Sequence, residues 1–236
     1  MVPFPNRVGI GQACVLIALL CGIAGTVDAL AYLRLGRLFV ANLTGNTVLF
    51  AYEAADRHWP LAAERLALII AFFIGVITDR LLRRWIESDH PLLRPEVASL
   101  TIECCVLFAF AFLSPHRYLR VFLLVVLAWT MGLQNDAFQR IGPVNLNTTF
   151  LTGDIEKLGS AVAGAPDDES SSRRSRKIIA FTTAWVAYGA GAVLGSVSSH
   201  FFGMQTLLIP AAMVVVVLAI ELRGRNRSEN LLPKGR

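Results

Sequence analysis

A chain of 236 residues that is 55% hydrophobic, 17% charged and has a mean hydropathy of +0.56 is not a pair of soluble domains. Its charges gather at 79–96, 164–177 and 221–236, between apolar runs with almost none, which is the pattern of a polytopic membrane protein. The net charge of +5 and pI near 9.3 come without an aromatic-interleaved basic patch, so the lipid bilayer and not nucleic acid is the expected partner.

Taken in order, Met1–Gly11 is short, and Gly11–Leu33 is apolar on all sides and predicts transmembrane helix 1. A signal peptide competes for this stretch. Against it, the closing Asp28-Ala29 recurs as Asp136-Ala137 after an internal apolar run. Leu38–Tyr52 is too short for a crossing of roughly 20 residues, and predicts an extended entry followed by a short helix with Thr44 as N-cap. Glu53–Arg65 is a polar link broken at Trp59-Pro60, and Leu66–Thr78 is helix 2, stopped by Asp79-Arg80-Leu81-Leu82-Arg83-Arg84. Val97–Leu113 is helix 3 and Leu119–Ala137 is helix 4. Pro143–Ala163 holds a second short element starting at Thr152-Gly153, followed by the polar stretch Gly164–Arg176. Lys177–Ser199 is helix 5, Thr206–Leu222 is helix 6, and 223–236 is expected to be a disordered basic cytoplasmic tail.

Two landmarks recur on one offset. Asp28-Ala29 and Asp136-Ala137 lie 108 positions apart, and so do Thr44-Gly45 and Thr152-Gly153. The expectation is a duplicated membrane domain over 1–222, with repeat 1 at about 11–113 and repeat 2 at about 119–222. If the two Thr-Gly segments do not cross, six spans remain, and the basic loop Arg80–Arg94 falls on the same side as both termini. If they do cross, that loop is forced outside, against the preference of Lys and Arg for the cytoplasm. Six spans divide into two halves of three, an odd number, so the halves are inverted. The expected fold is thus an all-α integral membrane protein with six transmembrane helices as two inverted three-helix repeats. Each repeat carries a short re-entrant or broken helix starting at a Thr-Gly motif.

Short helices that begin inside the membrane have N–H groups that hydrocarbon cannot satisfy, so their starts must be shielded or line a polar cavity. Asn42, Thr44, Gly45 and Asn46 in the first copy, with Thr149, Thr152, Gly153 and Asp154 in the second, are the candidate substrate-binding residues. Thr, Asn46 and Asp154 can cap the donors, and Gly45 and Gly153 allow a close approach. Two helix starts facing one solute supply partial positive charge, although Asp154 opposes strong anion selectivity. Asp28, Asn135 and Asp136 complete the set, with a carboxylate near a helix end either capping or entering a shared cation or proton site. Glu103, far from both ends of helix 3, is a candidate proton or cation relay.

Cys14, Cys21, Cys104 and Cys105 all lie in apolar runs without metal spacing, and the four histidines lie in loops. No P-loop, zincin motif, nucleophile elbow or soluble triad occurs, so neither enzyme activity, nor metal, nor cofactor is expected.

The chain resembles the YoaK-like family of bacterial membrane proteins, whose domain has no assigned function. The resemblance runs from helix 1 to helix 6. It is carried by Gly25-Thr26-Val27-Asp28-Ala29 with Thr44-Gly45-Asn46, and by Gly132-Leu133-Gln134-Asn135 with Thr148-Thr149 and Thr152-Gly153. It implies a multi-pass protein of the cytoplasmic (inner) membrane and no particular activity. Asp136 departs from the pattern, where a small residue is more usual. The residues themselves favour a transporter or channel for a small polar solute. A non-transporting scaffold or accessory protein is the alternative, and a homo-oligomer is left open.

Overall fold

The computed structural model describes residues 10–90, 93–114, 116–141, 144–145, 148, 151–164 and 171–229, with the backbone alone at 117, 118, 140, 144, 145, 151, 152, 173 and 224–229. The described chain is helical apart from an antiparallel ladder pairing Arg140 with Asn145 and Ile141 with Val144. Eight α-helices are described: α1 (Ile10–Arg34), α2 (Leu43–Ala55), α3 (Trp59–Asp89), α4 (Pro95–Phe110), α5 (Arg117–Ala137), α6 (Leu151–Ala163), α7 (Ser171–Phe202) and α8 (Leu208–Glu229). A 3-10 turn at Gly203–Leu207 joins the last two.

The apolar runs place every predicted helix, and the differences lie at the ends. Pro60 and Pro95 sit in the opening turns of α3 and α4, where a missing N–H costs nothing. Thus α3 opens before the predicted Leu66, and the link expected over Glu53–Arg65 shrinks to a tight turn with Arg57 at φ 60°. At the other end Asp79-Arg80 does not stop α3, because Asp79 finds partners inside the protein and the helix continues to Asp89. The expected disordered tail is helical as far as Glu229, and 230–236 lie outside the described residues.

Among the described residues, three stretches are long and apolar enough to cross a membrane: Ile10–Arg34, Trp59–Asp89 and Arg174–Arg223, the last covering most of α7 and α8. Their outward faces are apolar. Ile70, Phe73, Ile74 and Ile77 of α3 are exposed, as are Val186, Val193, Leu194 and Val197 of α7. Such faces suit lipid and not water.

Packing is by glycine-lined crossings between helices distant in sequence. In α1 and α7, Gly22 meets Gly191, Gly25 meets Tyr188, and the Thr26 hydroxyl donates to the Gly191 carbonyl at 3.1 Å. Further along both helices, the Arg34 guanidinium donates to the Ser199 carbonyl, so α1 and α7 run parallel. Likewise α3 and α5 cross where Gly75 meets Trp129 and Gly132. Arg120 holds Glu64 at one end of that pair and Arg80 holds Asp136 at the other, so these helices are parallel too. By contrast α4 and α8 are antiparallel, with Arg94 on Glu221 at one end and Cys104 opposite Ala211 at the other. Small residues at such crossings let backbones approach, which is the main source of helix association in lipid.

Candidate functional site

The chain turns sharply after α1. Gly36 (φ 109°) and Arg37 (φ 59°) reverse its direction, and the Arg120 guanidinium occupies the space that a side chain on Gly36 would need. Residues 38–42 then fold back along α1 without regular structure, bending at Val40 and Ala41, with Leu38, Val40 and Ala41 buried. Their backbone has no ladder or helix to pair with, and Asp28 supplies the acceptors. Its Oδ1 accepts from the N–H groups of Val40 (2.7 Å) and Ala41 (2.8 Å), and its Oδ2 accepts from Asn42 N–H (2.9 Å) and the Tyr188 hydroxyl (2.6 Å). Four donors fill a carboxylate's capacity. Asp28 is therefore an anchor for the returning segment, as the capping reading of a carboxylate near a helix end anticipated.

The helix that follows differs from its predicted start. Asn42, not Thr44, is the N-cap residue, and no side-chain bond caps the helix. Thr44 lies in the first turn, exposed, with its hydroxyl donating to Asn42 Oδ1 at 2.9 Å. Asn46 is buried but does not cap its own helix. Its Oδ1 accepts from Phe39 N–H (3.2 Å) and its Nδ2 donates to Phe39 O (2.5 Å), which pairs it with the returning segment instead. Gly45 is needed for a close approach, since a Cβ there would come within 3.2 Å of the Phe39 ring. Gly153 is not: a Cβ there meets nothing within 4 Å, which corrects the expectation of two equivalent glycines.

Both ends of this hairpin meet one guanidinium. Arg65 of α3 makes two 2.7 Å bonds to Glu53 near the end of α2 and reaches the Arg37 carbonyl at 3.4 Å. So Arg37 and Glu53 are at one level, and the start of α2 lies about 15 Å from it, the length of ten helical residues. Both partners of the Arg65–Glu53 pair are only 8% exposed. Arg65→Ala leaves a buried carboxylate unpaired and is expected to cost roughly 3–5 kcal/mol in thermal unfolding in detergent. The double variant Glu53→Ala with Arg65→Ala is expected to lose less than Arg65→Ala alone. Sequence reading took this stretch for a surface link, and the one available signal was two opposite charges bracketing a short helix.

The second copy is arranged differently. Asp154 in the first turn of α6 is buried and accepts from Lys157 Nζ at 3.1 Å, and that ammonium stands 5.6 Å from the centre of the Phe181 ring on α7. Thr152 lies in the same turn with its side chain outside the described residues, and Thr149 falls outside them altogether. The far end of α6 is closed from α7, where Arg174 donates to the carbonyls of Ala161 and Val162, both at 2.5 Å.

Asp136 does not join this centre. It accepts from Arg80 at 3.1–3.2 Å and from Gln139 at 2.7 Å, and Arg80 is largely exposed. Asp28 stands three residues after Gly25, the glycine crossing α7, and three residues after Gly132, the glycine crossing α3, stands the buried Asn135. The Asp-Ala match in sequence was thus one position out of step with the packing. The structure brings Asp28, Asn42, Gly45 and Asn46 together, adds Tyr188, which sequence reading missed, and leaves Asp136 at the edge. Glu103 lies apart, buried in the middle of α4. Among the described residues, no group of three His, Cys, Asp or Glu is placed to hold a metal ion.

Comparison with known proteins fits this geometry. No solved structure matches the chain. A curated relative, the UPF0700 transmembrane protein YoaK of Bacillus subtilis (strain 168), is 29% identical over 208 residues, covering 86% of this chain and 91% of that protein. A family model described as "Protein of unknown function (DUF1275)" matches residues 16–220, which takes in the glycine crossings, Asp28 with its hairpin, and Glu103. The chain belongs to that YoaK-like family of membrane proteins.

Proposed function

We propose that the protein is a transporter or channel for a small polar solute, built as two inverted halves of three crossings. One observation carries the proposal: a helix start, Asn42-Leu43-Thr44-Gly45-Asn46, is held about 15 Å below its own anchor level, beside a buried carboxylate. Helix starts inside a membrane are tolerated where they line a polar cavity, and in transporters of inverted design they mark the solute site. The exposed Thr44 hydroxyl and the first-turn N–H groups are the contacts available to a solute, since Asp28 and Asn46 are occupied by the protein. Asp154 and Lys157, paired with each other, hold the corresponding place in the second half.

The packing supports the six-crossing plan. α2 and α6 are each 13 residues, about 20 Å, and fall short of a bilayer core of about 30 Å. With both left uncrossed, α1 and α7 point one way, α3 and α5 the other, and α4 and α8 oppose each other. Those are the directions observed. With all eight crossing, α4 and α8 would be parallel, and they are not. The two pairings also exchange under a swap of halves, α1 with α7 and α5 with α3. Both termini are then on the side of the Arg80–Arg94 loop, which is the cytoplasmic side of a bacterial inner membrane.

A non-transporting scaffold is favoured by one observation, the saturation of Asp28 by donors of the protein itself. The two readings separate in proteoliposomes. A screen of small polar solutes is expected to find uptake by the wild type that falls at least about tenfold in Asn46→Ala. A cysteine placed at Thr44 in a cysteine-free chain is expected to react with a water-soluble maleimide. No uptake, together with an unreactive position 44, would leave the scaffold.

A further inference from the structure

We infer that Glu103 is a proton-binding site, loaded from the charged end of the molecule through the Asp79–Ser99 pair. This rests on the bilayer placement of α4 and not on the identity of any solute. Glu103 lies eight residues, about 12 Å, from the start of α4, on the face formed with Ser99, Leu100 and Leu107. It is 0% exposed, and neither of its oxygens has a hydrogen-bond partner. An ionised carboxylate in that position would lack a protein donor and a counter-ion, and a bound proton removes the charge. A metal ion would not serve, because it needs several oxygen ligands, and no acidic or histidine neighbours assemble around this residue among those described.

The Asp79–Ser99 pair stands one helical turn from it. One turn before Glu103 on the same face, the Ser99 hydroxyl donates to Asp79 Oδ1 at 2.5 Å. Asp79 is itself fully buried, its Oδ2 without a hydrogen bond and 3.8 Å from Arg83. Arg83 in turn holds Glu96 at 2.9 Å, and its side chain, 30% exposed, reaches the surface. Acid, hydroxyl and acid are thus spaced from the ionic cluster toward the middle of the bundle, with one helical turn of about 6 Å and no hydrogen bond between Ser99 and Glu103. Among the described side chains, the ionisable groups on the elements packed against α4 are Asp79, Arg80, Arg83, Arg84, Glu87 and Asp89 of α3, Asp136 of α5 and Glu221 and Arg223 of α8 toward the charged end. Glu64 and Arg65 of α3 and Arg120 of α5 lie toward the other, and the 3-10 turn carries none.

The test is infrared spectroscopy of the full-length protein in liposomes near neutral pH. A protonated carboxyl gives a C=O band apart from the amide bands. The wild type is expected to show it, and the isosteric Glu103→Gln variant to lose it. On transfer to D2O the band moves as the proton exchanges, and Ser99→Ala is expected to keep the band but slow its shift by about tenfold or more. A second measurement uses the wild type alone. Dicyclohexylcarbodiimide adds across a protonated carboxyl in apolar surroundings, and mass spectrometry is expected to find it on Glu103, whereas a water-soluble carbodiimide leaves that residue unmodified. A wild type without the band and without the adduct overturns the site. Exchange at the same rate in wild type, Ser99→Ala and Asp79→Asn overturns the route. Neither result depends on solute uptake, so failure here and failure of the transport reading are distinguishable.

Discussion

Asp28→Ala is expected to lower the stability of the protein by about 4 kcal/mol or more, because each buried donor left without an acceptor costs about 1–3 kcal/mol. The donors at stake are the buried N–H groups of Val40 and Ala41, and the part-buried N–H of Asn42 and hydroxyl of Tyr188. Asp28→Asn keeps the shape but turns an amide NH2 toward two of the donors, and an intermediate loss of about 2 kcal/mol is expected. Tyr188→Phe removes a single bond and is expected to cost about 1 kcal/mol. Denaturant unfolding in detergent measures all three, and amide exchange at Val40–Asn42 is expected to accelerate in Asp28→Ala. An Asp28→Ala protein that unfolds with the wild type would mean that the returning segment is held by something else.

The second large effect belongs to the glycine crossings. A Cβ at Gly25 would overlap the Tyr188 carbonyl, and one at Gly132 would overlap the Phe72 carbonyl. These atoms are backbone and cannot swing away, so Gly25→Val and Gly132→Val must push helices apart along their whole contact. A loss of about 3 kcal/mol or more is expected from each. Gly189 is the control. It lies on α7 among the same small residues, yet a Cβ there meets nothing within 4 Å, and Gly189→Ala is expected to be neutral or to gain up to about 1 kcal/mol. Melting temperatures in one detergent would rank the three. Equal effects at Gly25 and Gly189 would deny that the crossing depends on close approach.

The contrast between those two glycines shows where sequence reading reaches and where it stops. Apolar runs bounded by charges identify α1, α3, α4, α5, α7 and α8, because lipid imposes that composition whatever the partners. The short α2 and α6 were legible from their length and the repeated Thr-Gly. Partners were not legible. Asp28 meets Tyr188 at a separation of 160 positions, and nothing local marks that tyrosine. Thr44 looked like a cap because threonine favours that position, but the acceptors of Asp28 set where the returning segment ends, and the helix opens earlier. Glu103 was legible for a simple reason: an acid deep in an apolar run is costly wherever it points.

That separation has a bearing on how the chain is made. At roughly 5–20 residues per second, the ribosome delivers α7 some ten to thirty seconds after α1. Throughout that interval the first helix sits in the lipid with Gly22, Gly25 and Thr26 lacking their mates. Because α1 waits for α7, and α3 for α5, neither half is complete when it leaves the insertion machinery, and both must be completed together. A message cut short anywhere before codon 188 therefore yields helices that have entered the membrane with no counterpart to close upon, a ready target for quality-control proteolysis.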